Sequence, residues 1–379
     1  MTNKTLQIPK NIGTISCKVH NVSYHLFWLL SIIFIQCRDK ESIVVSPKAI
    51  VIKEAYLLES NEDLDFIRNF GFAKDGSIWI GTFHSGVYRL SGDKIINFNK
   101  SNSPLPDNTI NDLFIDNFDI VWVATGNGFA KYEEKSWKTY TIENAPLTLE
   151  SVSQIAVNDH GEILIGNGNA VDGGLLFRNR HDEWKNYTTN NSELPCSHIL
   201  DIKLSNNVFW VSTGQLLGEG GVVRFENEKV NNLLNIENTG LLYNWIDNIE
   251  VRDDNIWTGY EVYIYDESGF PDGGIQRVNL QSNNTYSYFP YDTRLVSNRI
   301  TSMKLHSDNS LWFATGIDDP GCENCFAGIG VLLENEDFLA ISAVNSDMPA
   351  NAYFSDLKED NAGNMYVSSE LSLYQLELR

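Results

Sequence analysis

The sequence predicts an all-β chain, a seven-bladed β-propeller of four-stranded antiparallel blades, and three observations carry that prediction. A strand-forming segment built around one large residue recurs seven times, at Trp79, Trp122, Leu164, Trp210, Trp257, Trp312 and Tyr366. The recurrences fall 42 to 55 residues apart, the length of a four-strand unit, so the residues from 50 to 379 read as one ring rather than as two domains. Two places beyond the large residue every copy is small: Gly81, Ala124, Gly166, Ser212, Gly259, Ala314 and Ser368. A small residue at one fixed place in seven sheets is what close sheet-on-sheet approach requires, and such units stacked radially close a ring. The third, fifth and seventh copies are degenerate, which leaves six or eight blades as the alternative counts.

Composition agrees with a large globular core. Of 379 residues, 42% are hydrophobic and 21% charged, which excludes a disordered chain and a coiled coil. Fifty acidic residues against 28 basic ones give a net charge of −22, which argues against a nucleic-acid partner because such proteins concentrate positive charge against phosphates.

In chain order, residues 1–36 come first. Lys4, Lys10 and Lys18 precede the apolar run Leu26-Phe27-Trp28-Leu29-Leu30-Ser31-Ile32-Ile33-Phe34-Ile35, with no acid among them. A basic region followed by an apolar stretch well short of the roughly 20 residues that span a bilayer is signal-peptide anatomy. The boundary Gln36-Cys37 resembles a bacterial lipoprotein signal, although Gln36 stands where Gly, Ala or Ser is usual. That resemblance implies a lipid on Cys37 and anchorage to the outer membrane, periplasmic or surface-exposed, with an uncleaved anchor or plain secretion as alternatives. Residues 37–49 then form a tether, opening on Arg38-Asp39-Lys40-Glu41, which is similar to surface-export signals. Without the leader, 25 basic residues face 50 acidic ones, a net of −25.

The next element, Ile50 to Leu58, is a strand that belongs to no copy. The last copy stops at its third strand, Leu373 to Leu378, so the early strand is expected to complete that blade and remove an exposed edge. Within each copy, an alternating run such as Ile110-Asn111-Asp112-Leu113-Phe114-Ile115 makes the first strand. Asp, Asn or Gly residues turn the chain into the tryptophan strand, and a glycine-containing turn leads to a third strand and then a fourth.

Leu105-Pro106-Asp107-Asn108 and Asp75-Gly76-Ser77-Ile78-Trp79-Ile80-Gly81-Thr82 resemble the core of the two-component regulator propeller repeat, and the resemblance covers about residues 60 to 379. In that family such propellers form the extracytoplasmic sensing part of regulators, often for glycans. No kinase or DNA-binding segment follows in this sequence, so recognition or scaffolding is expected rather than signalling alone.

In propellers the loops joining second to third strands share a face with those joining successive blades. The third to sixth copies lengthen those loops, and the insertions carry Asp172, Glu219, Asp272, Asp318 and Asp319. His84, Asn127, Tyr243, Trp245 and Arg299 fall in loops expected on the same rim. Aromatic, carboxamide and acidic groups on long loops suit stacking on and hydrogen bonding to a glycan or peptide; the plain alternative is turn-making and solubility. Calcium is a rival use for the acids, although no spacing reproduces the Asp-x-Asp-x-Asp-Gly loop.

Cys322-Glu323-Asn324-Cys325 offers a zinc pair, a redox pair or a local disulfide. One pair supplies half of a zinc site and no helix start follows to activate a thiol, which favours a loop-stapling disulfide. Cys196 is expected to remain a free, partly buried thiol. There is no Gly-x-Ser-x-Gly elbow, His-Glu-x-x-His or phosphate loop. The expected function is therefore an exported, lipid-anchored, monomeric propeller that binds a glycan, a peptide or an envelope protein. The alternatives are a structural part of a secretion or adhesion assembly, and an enzyme resembling the streptogramin-cleaving propellers, for which His84 and His198 are the available histidines.

Overall fold

The computed structural model describes residues 51–57, 65–167, 172–215, 218–260, 273–288, 299–316, 327–342 and 353–377. The chain divides into two compact units, Met1–Val44 and Val45–Arg379, and every described residue belongs to the second. The expected leader (1–36), Cys37, the tether (37–49), Asp272, Asp318, Asp319, Cys322 and Cys325 lie outside the described residues. No helix among the described residues is long and apolar enough to cross a membrane.

Seven four-stranded antiparallel sheets form the ring. Their innermost strands are Ile67–Phe72, Ile110–Ile115, Val152–Val157, Ile199–Ser205, Asn248–Arg252, Ile300–Leu305 and Phe354–Glu359, taken from the first blade to the seventh. The last blade is closed as its missing strand required: Val51–Leu57 lies antiparallel to Ser372–Glu377, in register from Val51 opposite Glu377 to Leu57 opposite Ser372. The first and last described strands therefore share one sheet, and the degenerate copies still build complete blades.

The repeated residues explain the repeated geometry. In the turns between first and second strands, Asp75 and Asp116 fold a carboxylate back onto the chain: Ser77 N–H donates to Asp75 at 2.8 Å, and Ile120 N–H to Asp116 at 2.9 Å. The tryptophan opposite takes a cation from the facing residue of the third strand. Arg89 sits over Trp79 at 5.4 Å, Arg224 over Trp210 at 5.7 Å and Arg277 over Trp257 at 5.1 Å. At the far end of the second strand Thr82 and Thr125 are fully buried, and each hydroxyl donates to the carbonyl of the glycine that opens the third strand, Gly86 or Gly128. Those glycines have φ of 83° and 101°, and a Cβ there would meet the outer-strand carbonyls of Phe98 and Tyr140 at 2.3 and 2.2 Å.

The small residue has the role the sequence assigned to it. A Cβ on Gly81 would lie 2.5 Å from Ile110 of the next blade, and one on Gly166 would lie 2.8 Å from Ile199 of its neighbour. Apolar side chains between successive sheets supply the core, as where Trp79, Val87 and Leu105 pack against Ile110, Val121 and Val123.

Candidate functional site

Backbone hydrogen bonds join the loops between blades to the loops between second and third strands, which places both sets on one face. Phe83 N–H donates to Phe66 O at 3.0 Å, Gly126 N–H to Thr109 O at 3.1 Å and Gly316 N–H to Arg299 O at 3.0 Å. On this face the ring opens into a cavity of about 1050 Å³ whose wall is the first half of the inner strands.

Six of the seven inner strands carry a β-bulge at the same place, between Ile110 and Asp112 in the second blade and between Phe354 and Asp356 in the seventh, for example. A bulge re-aims the side chain beside it. The residue that follows is polar in every blade and stands opposite the small residue of the second strand: Asn69, Asp112 and Gln154 in the first three blades, Asp201 in the fourth, then Asn248, Ser302 and Asp356. All seven line the cavity. Several of them tie their blade to the next one. Asp112 accepts the Ile155 N–H at 3.0 Å, Asp201 the Ile249 N–H at 3.1 Å, Ser302 the Leu357 N–H at 3.1 Å and Asp356 the Phe70 N–H at 3.3 Å. Each link gives a backbone donor of the inner strand an acceptor from the neighbouring blade.

Two residues further along, the inner strands differ around the ring. The first three blades have Gly71, Phe114 and Ala156, whereas the last four have Lys203, Glu250, Lys304 and Lys358. The charged half is internally paired: Lys203 reaches Asp201 at 3.4 Å and Glu250 at 3.7 Å, Lys304 reaches Glu250 at 3.9 Å, and Lys358 reaches Asp356 at 3.4 Å. Burial would pull the Lys203 ammonium down, but Asp201, Glu250, Asp356 and Asp112 together outweigh it and hold the ammonium above its ordinary range. Burial pushes the carboxyls of Asp112 and Asp201 up, an effect the Ile155 N–H opposes at Asp112 and Lys203 opposes at Asp201.

Nearer the opening, the first blade presents an aromatic wall. Phe66 and Phe83 stack at 5.1 Å, the Arg68 guanidinium lies 5.6 Å from the Phe83 ring, and Asp65 accepts the N–H groups of Phe66 and His84 at 3.0 and 2.8 Å. Tyr353 enters from the seventh blade, 41% exposed. Across the opening Trp245 donates its indole N–H to Asp247 at 2.6 Å and meets His198 edge-on at 5.9 Å.

The described rim residues picked from the sequence, His84, Asn127, Asp172, Glu219, Tyr243, Trp245 and Arg299, are absent from the wall of this cavity. His84, Asn127, Asp172 and Glu219 occupy the loops between second and third strands of the first four blades, with Asp172 and Glu219 exposed. Tyr243 packs edge-on against the buried Tyr260 at 5.8 Å, and Arg299 directly precedes the sixth inner strand. Trp245 and His84 touch the wall through Asp247 and Asp65. Cys196 is a free, buried thiol that burial pushes up. Among the described residues no three His, Cys, Asp or Glu side chains converge as metal ligands. The wall itself was missed in the sequence; its signal was the polar residue recurring in register with the small one, as Asp112 does with Ala124.

No protein-family model matches the chain, and no curated protein matches it in sequence. In structure it resembles the extracellular domain of a hybrid two-component system from B. thetaiotaomicron, with a TM-score of 0.61 and 16% identity over 86% of this chain, and it spans 39% of that domain's length. It also resembles virginiamycin B lyase from Staphylococcus aureus, with a TM-score of 0.64 and 17% identity over 87% of this chain and 100% of the lyase. The WD40 domain of Neurospora crassa Pan2 gives 0.59 at 10% identity over 88% of this chain and 95% of that one. An extracellular domain of a two-component system, a lyase and a WD40 domain share this scaffold, so what the likenesses establish is the propeller fold, the one the repeat pointed to.

Proposed function

We propose that the chain is an exported, lipid-anchored recognition module of the cell envelope that binds a glycan at the mouth of the propeller channel. The observation that carries this reading is the cavity of about 1050 Å³ on the loop-bearing face, lined by carboxamides, hydroxyls and acids beside an aromatic wall. That volume lies just above the roughly 300 to 1,000 Å³ typical of ligand sites. The signal-like residues 1–36, Cys37 and the fold shared with an extracellular sensor domain support an envelope location. The reading requires no resident cofactor.

The test is glycan-array and pull-down binding with the full chain, expressed with its own leader and purified from membranes. Saturable glycan binding that weakens in Tyr353→Ala and Trp245→Ala is the expected result. A stoichiometric protein partner with no glycan bound would instead make the chain a component of an envelope assembly. Metal-dependent bond cleavage would make it an enzyme, and loss of binding in a chelator would bring calcium in. Mass spectrometry of the native N-terminus checks the anchor, which an unmodified Cys37 would remove.

A further inference from the structure

The channel wall holds its lysines and its arginine in different electrostatic states. Lys203 and Lys358 each stand within 4 Å of a carboxylate, as does Lys304 beside them. Arg68 lines the same cavity, half-buried, and no carboxylate lies within ion-pair distance of it among the described residues. Among the described residues its guanidinium donates to the neutral Asn111 side chain at 2.9 Å and lies over the ring of Phe83. A guanidinium carries five N–H donors, and withdrawing its charge from water without a counter-charge is costly. Burial here outweighs the pull of Tyr353 and Asp112 and lowers even this group. Asp112 is a poor counter-ion, since its oxygens are taken by the N–H groups of Ile155 and Leu113.

We propose that Arg68 receives an anionic group of the ligand, and that the ligand is a glycan carrying a carboxylate, a uronate. This rests on the reading of the channel mouth as the binding site and narrows its substrate class. A planar guanidinium with unused parallel N–H donors matches a carboxylate in a two-point contact. Phe66 and Tyr353 line the same cavity and supply aromatic rings of the kind on which sugars stack. The rest of the wall is hydroxyl, carboxamide and charged, with six carboxylates and two lysines among it and with Leu200 and Leu371 its aliphatic members, which favours a saccharide over a peptide that needs apolar side-chain pockets.

The test is calorimetric titration of the full chain with trigalacturonate and, in parallel, with neutral maltotriose. Wild type is expected to prefer the uronate, more weakly as salt rises. Arg68→Gln is expected to lose uronate affinity by roughly tenfold or more, well beyond any change in maltotriose affinity, with Arg68→Lys between the two. Cooperative thermal unfolding of each variant controls for folding, and Arg68→Lys keeps the test open if the glutamine variant fails that control. Uronate binding unchanged in Arg68→Gln overturns the assignment of Arg68. Neutral-glycan binding at the mouth with no uronate preference overturns the ligand class while leaving the mouth as the site. Binding of neither sugar, or Arg68-dependent binding of a short peptide through its terminal carboxylate, overturns the glycan reading itself.

Discussion

Asp112 tests the interblade links because its charge and its hydrogen bond can be removed separately. It sits on the second inner strand, accepts the Ile155 N–H of the third blade at 3.0 Å, and has its carboxyl pushed up by burial. Asp112→Ala removes the acceptor and strands a buried N–H, at a cost of about 1 to 3 kcal/mol. Asp112→Asn keeps an oxygen for that N–H and removes the charge that burial penalises. A carboxyl whose folded pKa is raised contributes stability that is fully present below its unfolded pKa, about 3.9, and is lost as pH rises through the folded value. Relative to the asparagine variant, wild type should therefore lose stability between pH 4 and pH 8. Urea unfolding at both pH values is the assay. At pH 8 the asparagine variant should match or exceed wild type while the alanine variant falls below it, and at pH 4 the asparagine and wild-type curves should converge. Equal destabilisation by Asn and Ala at pH 8 would refute the reasoning, because it would mean that attraction from Lys203 and Lys358 outweighs desolvation.

Three further outcomes follow from the same geometry. Gly166→Val places branched carbon against Ile199 of the next blade, where even a Cβ would sit at 2.8 Å, and should cost about 1 to 3 kcal/mol in urea unfolding; an unchanged midpoint would contradict the close-approach account. At His306 burial opposes the charge, but the Gly363 carbonyl, Asp308 and Glu359 outweigh it and hold the imidazole above its ordinary value. Its contribution is then complete below about pH 6.5 and is lost as pH rises through the folded pKa, so His306→Asn should flatten the fall in melting temperature between pH 6 and pH 9. The Cys196 thiol, buried and pushed up, should react slowly with maleimide in the native protein and readily in denaturant; rapid native labelling would show the loop before the fourth blade to be open.

The fold was legible because its determinants are local and repeated. Trp79 with Gly81, and Trp122 with Ala124, occupy neighbouring positions in one strand, so a fixed register could be read without knowing what the strand faces. The closing strand was legible by subtraction, since the last copy ended one strand short. The rim loops were legible as extra length. Their acids at Asp172 and Glu219 are exposed, which the sequence could not distinguish from a role in solubility.

The channel wall was not legible, and the reason is geometric. In Ile110-Asn111-Asp112-Leu113-Phe114-Ile115, alternation says that a strand has two sides, and the polar side of a strand ordinarily faces water. Here it faces a channel and the next blade, so Asp112 bonds to a residue 43 positions away and Asp356 to one 286 positions away. Whether a cation is paired depends on the same long-range placement. Lys203 and Lys358 each have an acid two residues earlier on their own strand, Asp201 and Asp356, so their neutralisation is written locally. Arg68 has no such neighbour: two positions away are Phe66 and Phe70, and the ring brings Asn111 and Phe83 to it, neither of them charged. The lysines of one half of the channel are thus each paired with a carboxylate, while in the half built on Gly71, Phe114 and Ala156 no carboxylate among the described residues lies within ion-pair distance of Arg68. That asymmetry is what gives the mouth a preferred side for an anionic ligand, and it comes into being only when the ring closes.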